Sequence, residues 1–461
     1  IIFLVQDNEW GISVTKEEAR TSDAYDYAAG FVGLNRMRID GTDFVESFIQ
    51  MQKAVHFVRE ERKPLLVCAK TVLIGHHTSG VRREFYRDEA DLAKHRAKDP
   101  GIILKKYLLE EGFSEETLSQ IEIEARKQIE EDFNKAILAP DPKPETVKEH
   151  VYAPTPITEE KGTRIPENGE KIPMVDAGIH AIQELMHKHP EALLYGQDVG
   201  GRIGGVFREA VTLQQKFGNK RVFNTAIQEA YIIGSTVGMS AVGLKPIVEV
   251  QFADYIYPGI NQLVTEVSKS CYLSNGKYPV SNIIRVPIGA YGGGGPYHSG
   301  SVETMLAQIK GIKIAYPSNA ADFKGLFKAA FYDPNPVIFL EHKGLYWSKV
   351  PGTEDAKTIE PAEDYILPFG KANIVKFANE EEIQKGRTLV VVTYGMGVYW
   401  AKEAAKNFEG RVEIIDLRTI KPIDETLVFE RVKIHGKCIL LTEEALNNSM
   451  MEAFGARISK N

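Results

Sequence analysis

Ile1-Ile2-Phe3-Leu4-Val5 is an uninterrupted apolar run, and Gln6-Asp7-Asn8-Glu9-Trp10-Gly11-Ile12-Ser13 follows it directly. A run that is apolar at every position reads as a parallel strand buried on both faces, near the centre of a sheet. An amphipathic helix is expected over 42–61 and a second apolar strand over 65–73. Strand, helix, strand is the rhythm of a parallel sheet covered by helices, so the fold class is α/β. Further on, Ser114-Glu115-Glu116-Thr117 opens a charged helix expected over 114–134, with Ser114 as its cap.

The pattern breaks at Pro140, Pro142 and Pro144 and stays broken through Pro154, Pro156 and Pro166, which predicts a linker over 139–172. A second α/β pattern runs over 173–350, with strands expected at 222–224, 246–252, 282–286, 313–316 and 337–341. A polar connecting segment, 351–387, leads to a third unit, 388–461. That unit carries strands at 389–394, 412–416 and 437–442, a helix at 398–408, and a last helix over 445–458. Dividing 461 residues by about 150 per domain also gives roughly three units.

Apolar residues make up 43% and charged residues 26%, which excludes collagen-like and largely disordered chains. The net charge of −7, with no basic run, argues against nucleic-acid binding. The longest apolar stretches, such as 388–393 and 438–441, are too short to span a membrane. Cys68, Cys271 and Cys438 lie far apart and match neither zinc nor redox spacing. A cytoplasmic, multi-domain protein is expected. The chain opens on a strand without Met and stops inside a helix, so a large fragment is expected too.

Several segments at strand exits carry chemistry. In open α/β sheets, ligands bind outside the carboxyl ends of strands. Asn8, with a backbone carbonyl nearby, offers hard oxygens suited to Mg²⁺, though the octapeptide alone reads first as an ordinary polar turn. Gly75-His76-His77-Thr78-Ser79-Gly80 places two imidazoles at the exit of 65–73, either for acid–base work or as a plain loop. Glu229 enters an apolar helix expected over 230–243, as a first-turn acid or as a carboxyl held in an apolar pocket for chemistry. Gln251 and Tyr255 lie at another exit, and Gly292-Gly293-Gly294-Gly295 leads to Tyr297-His298-Ser299. There is no Walker loop, and no strand–glycine–helix unit frames Gly200–Gly205 as a dinucleotide fingerprint.

In this order, the segments resemble the thiamine-diphosphate-dependent decarboxylating component of 2-oxo acid dehydrogenase complexes. Residues 1–150 are similar to the later part of the α subunit, and 172–461 to most of the β subunit, as in fused single-chain versions. Val206-Phe207-Arg208 and Gln251-Phe252-Ala253-Asp254-Tyr255-Ile256 are more like the branched-chain (2-oxoisovalerate) members than the pyruvate ones. The resemblance implies a thiamine-diphosphate-binding fold: two doubly wound parallel-sheet domains and a transketolase C-terminal-like α/β domain. It implies thiamine diphosphate and Mg²⁺ as cofactors, with Asn8 and Trp10 ligating the metal. Glu229, His298 and His77 would be catalytic, and Ile227, Gln251, Tyr255 and Ser13 would contact the cofactor. The implied partner is a lipoyl-bearing dihydrolipoamide acyltransferase, and the implied assembly a homodimer of fused chains.

Three positions depart from the family pattern: Gln6 and Leu73 stand where Arg is common, and Gln197 where Glu is usual. The Gly-Asp-Gly half of the cofactor motif would precede Ile1. Transketolases and 1-deoxyxylulose-phosphate synthases use the same cofactor as carbon–carbon transferases, and a non-catalytic assembly fragment is a third reading.

Overall fold

The computed structural model describes residues 1–461. Two compact units, Ile1–Pro142 and Lys143–Asn461, are described separately. No helix is long and apolar enough to cross a membrane.

The first unit contains β1 (Ile2–Asp7), β2 (Asn35–Asp40), α1 (Phe44–Glu60), β3 (Leu65–Lys70) and α2 (Glu115–Leu138). Its sheet is parallel, in the order β1-β3-β2. β3 is therefore central, and Leu65, Val67 and Ala69 pack with Ile39 and Ala54 into the core of the unit. β1 corrects the expectation of a central buried strand. It lies at an edge and pairs only with β3, and Phe3 and Leu4 are about half exposed. An apolar run reports β-forming character but not rank within a sheet. α1 starts two residues later than expected because Asp40 closes a polar turn, accepting from the Thr42 N–H at 2.9 Å. Asp43 caps the helix, accepting from Glu46 N–H at 2.9 Å. Ser114 caps α2 as expected, accepting from Thr117 N–H at 3.1 Å.

The second unit begins with α3 (Met174–Lys188), β4 (Ala192–Gly196), β5 (Val222–Asn224), α4 (Glu229–Ala241) and β6 (Lys245–Glu249). β7 (Ile283–Ile288), β8 (Lys313–Ala315), α5 (Ala320–Tyr332) and β9 (Val337–His342) follow. The C-terminal part contains β10 (Asn373–Lys376), β11 (Leu389–Thr393), α6 (Gly397–Ala405), β12 (Val412–Asp416) and β13 (Thr419–Lys421). It ends with α7 (Glu425–His435), β14 (Cys438–Leu440) and α8 (Met450–Ile458). The main sheet has seven strands in the order β13-β8-β9-β7-β6-β4-β5, parallel except for β13.

Alternate residues of these strands enter two different cores. Leu194 and Phe339 face one with Ile182, Phe323 and Phe327, while Tyr195 and Leu340 face the other with Ile232 and Ile256. That alternation is the signature of a sheet covered on both faces. The smaller sheet runs β10-β12-β11-β14, with β10 antiparallel.

Three expectations change in this unit. The proline-rich stretch read as a linker is laid against the unit: Tyr152 Oη donates to the Ile312 carbonyl at 3.1 Å, and Ala153 N–H donates to Asn335 Oδ1 at 2.7 Å. Proline breaks regular α-helix there, leaving only a short 3₁₀ turn at Pro144–Lys148, but permits an extended, hydrogen-bonded arm. The weakly patterned connecting segment buries Ala356, Tyr365 and Leu367 and supplies β10. The last helix begins at Met450, capped by Ser449, which accepts from Glu452 N–H at 3.1 Å. Residues 443–448 form a loop, because the Glu443 and Glu444 carboxylates bond backbone N–H groups elsewhere in the unit.

A buried ionic cluster crosses the sheet centre. Arg285 on β7 donates from Nε and Nη2 to Glu341 on β9 at 2.7 and 2.8 Å, and from Nη1 to Glu249 on β6 at 3.3 Å. Tyr346 Oη donates to Glu341 at 2.7 Å, and Glu209 is buried nearby. Burial pushes Glu249 well above the ordinary 4.5, and the adjacent Glu209 pushes it further; burial likewise raises Glu209. A group whose folded-state value is raised stabilises fully below its unfolded value and loses that contribution as pH rises through the folded value. Urea unfolding of the wild type is therefore expected to show stability falling above pH 4.5 from these two groups. Replacing both Glu209 and Glu249 by Gln should flatten that slope. Arg285→Met, which leaves Glu341 uncompensated, should cost about 3–5 kcal/mol.

Candidate active site

In the first unit, the exit of β1 turns sharply. Asn8 Oδ1 accepts from Trp10 N–H at 3.0 Å, and Glu9 takes a left-handed φ of +69°. Trp10–Gly11 then pairs antiparallel with Val14–Thr15, which puts Ser13 at the exposed tip of a small hairpin. Gln6, Asn8 and Trp10 line a cleft of about 210 Å³ with Lys16 and Arg20. Asp7, at the base of this turn, is buried and bonded by Lys70 and Arg20. Burial alone would raise its carboxyl, but the two cations more than offset that and hold it below the usual carboxylate range.

Tyr86 and Arg87, which no local motif marks, pack on Trp10. The ring centroids lie 5.9 Å apart, and the guanidinium sits 5.2 Å from the indole. Arg87 also donates to the Leu73 carbonyl at 2.7 Å, which ties the histidine loop's start to the turn at Trp10. Of the arginines that follow this loop, Arg82, Arg83 and Arg87, only Arg87 is buried. Within the loop, His76 Nδ1 accepts from Arg83 N–H at 3.1 Å, and His77 is exposed.

In the second unit, Glu229 is the first residue of α4 and only 9% exposed. Its immediate partner is polar: Gln197 Nε2, at the exit of β4, donates to Glu229 Oε1 at 2.9 Å. Gln251, at the exit of β6, donates to Asp198 Oδ2 at 2.8 Å and to the Gln197 carbonyl at 3.3 Å. Two strand exits are thereby locked around the carboxyl. Ile227 stands 83% exposed beside them.

His298 closes the glycine-rich loop after β7. Its Nδ1 lies 3.1 Å from the Gly294 carbonyl, which can only accept, so Nδ1 carries a proton. In the neutral ring Nε2 then accepts from Tyr255 Oη at 2.8 Å. The edge of the imidazole meets Phe252 at 4.6 Å between centroids, and Lys343 donates to the His298 carbonyl. Gly294 is required here, because a Cβ would lie 2.5 Å from His298 Cβ. The structure thus brings Glu229, Gln251, Tyr255 and His298 onto neighbouring strand exits of one sheet. Gln197, the position that departs from the family pattern, and Asp198 complete this edge. Their contacts join residues 32 to 54 positions apart, so no local pattern encodes them.

Comparison with known proteins places these elements. Residues 1–145 match the family model "Dehydrogenase E1 component", 170–348 match "Transketolase, pyrimidine binding domain", and 379–461 match "Transketolase, C-terminal domain". The 2-oxoisovalerate dehydrogenase subunit beta of Bacillus subtilis is 38% identical over 289 residues, covering 62% of this chain and 84% of that protein. The corresponding protein of Pseudomonas aeruginosa is 39% identical, covering 59% of this chain and 77% of its own length. The pyruvate dehydrogenase E1 component subunit beta of Acholeplasma laidlawii is 40% identical, with coverages of 59% and 79%. A split-gene transketolase solved as an inactive β4 tetramer shares the fold at 20% identity and a TM-score of 0.50, over 63% of this chain and 85% of that one.

The family's cofactors are thiamine diphosphate and Mg²⁺, and the donor chemistry here fits them. The Asn8 side-chain oxygen and the Trp10 carbonyl are hard ligands on one turn, and Glu229 is a secluded carboxyl able to bond a ring nitrogen. An α-like region matching the dehydrogenase E1 component thus precedes a β-like region with both transketolase-type domains, and the chain belongs to the thiamine-diphosphate-dependent 2-oxo acid dehydrogenases.

Proposed function

We propose that the enzyme decarboxylates a branched-chain 2-oxo acid such as 3-methyl-2-oxobutanoate in the cytoplasm and passes the acyl group to a lipoyl-bearing dihydrolipoamide acyltransferase. The observation that carries this reading is the buried Glu229 carboxyl, bonded by the Gln197 amide, on the same sheet edge as the Tyr255–His298 pair. We also propose 1–138 as the domain for the diphosphate and Mg²⁺, 173–350 for the aminopyrimidine, and 388–461 as the C-terminal domain. When bound, thiamine diphosphate supplies the electron sink for loss of CO₂.

The chain's own residues hold it and move protons. Asn8 Oδ1 and the Trp10 carbonyl ligate Mg²⁺. Glu229 would bond the aminopyrimidine through the carboxyl oxygen that Gln197 does not occupy, and would hold or release a proton there. Ile227, Gln251, Tyr255 and Ser13 are the remaining cofactor contacts. His298, polarised by Tyr255, and His77 on its exposed loop deliver protons while the acyl group is handed on. Phe252 packs edge-to-face with His298 at 4.6 Å and with Phe207 at 5.5 Å between centroids, apolar surface that supports a branched side chain. A homodimer of chains is part of the proposal. Ile227 and Tyr231, at and near the head of α4, are apolar surfaces that one chain leaves open.

Substrate comparison tests the class. The complete enzyme should show kcat/KM at least tenfold higher for 3-methyl-2-oxobutanoate than for pyruvate, a difference worth about 1.4 kcal/mol. Equal or reversed values would return the pyruvate type. Glu229→Gln should keep the wild-type melting temperature and lose decarboxylation by a factor of at least about 10². His298→Ala and His77→Ala should each still bind thiamine diphosphate in calorimetric titration while lipoamide-dependent turnover drops by about 10²–10⁴. Wild-type turnover in both would remove these histidines from the mechanism.

A further inference from the structure

Residues 288–299 carry four consecutive glycines ahead of His298, a composition that offers little packing of its own. Even so, both ends of the loop are tied. At its start, Ala290 N–H donates to Glu443 Oε1 at 2.9 Å. The other oxygen of that carboxylate takes His342 Nε2 at 2.8 Å. The imidazole has a defined proton position, because Nδ1 accepts from Gly344 N–H at 3.1 Å and leaves Nε2–H to face Glu443. His342 also forms the floor under Gly289, where φ is +95° and a Cβ would come within 2.2 Å of Nε2. At the far end of the loop, the next residue, Lys343, donates to the His298 carbonyl.

Consecutive residues at the exit of β9 therefore grip the two ends of the loop. The carboxylate that completes the grip comes from the exit of β14, in the C-terminal part of the chain. Burial opposes ionisation of Glu443, but the bonds from His342 and from Ala290 N–H outweigh it, so the carboxyl lies below its ordinary value. Its neighbour Glu444 holds a different segment, accepting from Thr304 N–H at 2.8 Å and Thr304 Oγ1 at 2.7 Å.

We propose that Glu443, acting through His342 and Ala290 N–H, is a positioning residue that sets the placement of His298 against Tyr255. The proposal rests on the reading of His298 as an active-site histidine. Glu443 touches neither His298 nor any residue assigned to the cofactor, so its effect on turnover passes through the loop. Without the carboxylate, the Ala290 N–H and the His342 Nε2–H lose their acceptor, and the glycine run has nothing to hold its start. A displacement of about 1 Å at a reacting group costs on the order of 10²-fold in rate.

A double-mutant cycle in the complete enzyme tests this, using lipoamide-dependent turnover and calorimetric affinity for thiamine diphosphate. Glu443→Ala should lower kcat by at least about tenfold while cofactor affinity stays within about twofold. Glu443→Gln, which keeps one acceptor oxygen, should fall between wild type and Glu443→Ala, and it serves as the reporter should the alanine variant not fold. On a His298→Ala background, either substitution at 443 should change kcat by less than about twofold, because the group being positioned is gone. Equal factors in the two backgrounds would overturn the proposal and leave His298 in place. Wild-type kcat in Glu443→Ala would also overturn it. Wild-type turnover in His298→Ala would remove the reading of His298 itself, and the proposal with it.

Discussion

Arg285 lies in the middle of the seven-stranded sheet with three carboxyls around it, and the site is built on the strands it ties together. A guanidinium buried this deeply persists only because Glu341 takes it through two parallel bonds and Glu249 takes a third. Those bonds join β7 to β9 and to β6. Each of these strands then exits into a piece of the site: β6 into Gln251 and Tyr255, β7 into the glycine-rich loop, β9 into His342 and Lys343. Val250 N–H continues the pairing beyond β6 by donating to the Arg285 carbonyl at 3.0 Å. A cluster of three carboxyls around one cation carries excess negative charge, and burial resolves this by favouring the protonated forms of Glu209 and Glu249.

The parts of the fold that the sequence made legible are those where local periodicity and burial coincide. The strand at Val222–Asn224 and the strand at Val412–Asp416 fall where the apolar pattern puts them, and Ser114 caps its helix. β1 shows the limit. Ile1-Ile2-Phe3-Leu4-Val5 is as apolar as β3, yet β3 takes the centre and β1 an edge, because rank in a sheet is decided by partners far along the chain. The same limit applies to the stretch 139–172. Its prolines bar a regular α-helix, but the donors and acceptors that hold most of it extended come from Ile312, Asn335 and Ile366.

Site residues divide along the same line. Asn8, Glu229 and His298 were legible as candidates because each lies within a few residues of a strand end or glycine run, where side chains face a ligand. Tyr86, Arg87 and Glu443 were not, since nothing within a few residues of them distinguishes a site neighbour from a surface charge. Glu443-Glu444 lies just ahead of the helix expected over 445–458, where a pair of acids is ordinary. In the structure the helix starts later, at Met450, and the two carboxylates are committed to Ala290 and Thr304.

Gln197 brings these constraints together at one bond. A carboxylate at this position would set two acids against each other beside a half-covered strand exit, and their titrations would belong to the pair. The amide donates at 2.9 Å and brings no charge, so it orients one oxygen of Glu229 and leaves the other unencumbered. Its backbone carbonyl is meanwhile held by Gln251 Nε2 at 3.3 Å, and the same Nε2 bonds Asp198 at 2.8 Å. The orientation of Glu229 thus depends on Gln251, and Gln251 follows directly on the strand that Arg285 binds at Glu249. A single chain of bonds therefore runs from the buried guanidinium to the Glu229 carboxyl. Along that chain the buried charges stay in the core and the links to Glu229 are neutral amides, with the exposed Asp198 carboxylate bonded beside them.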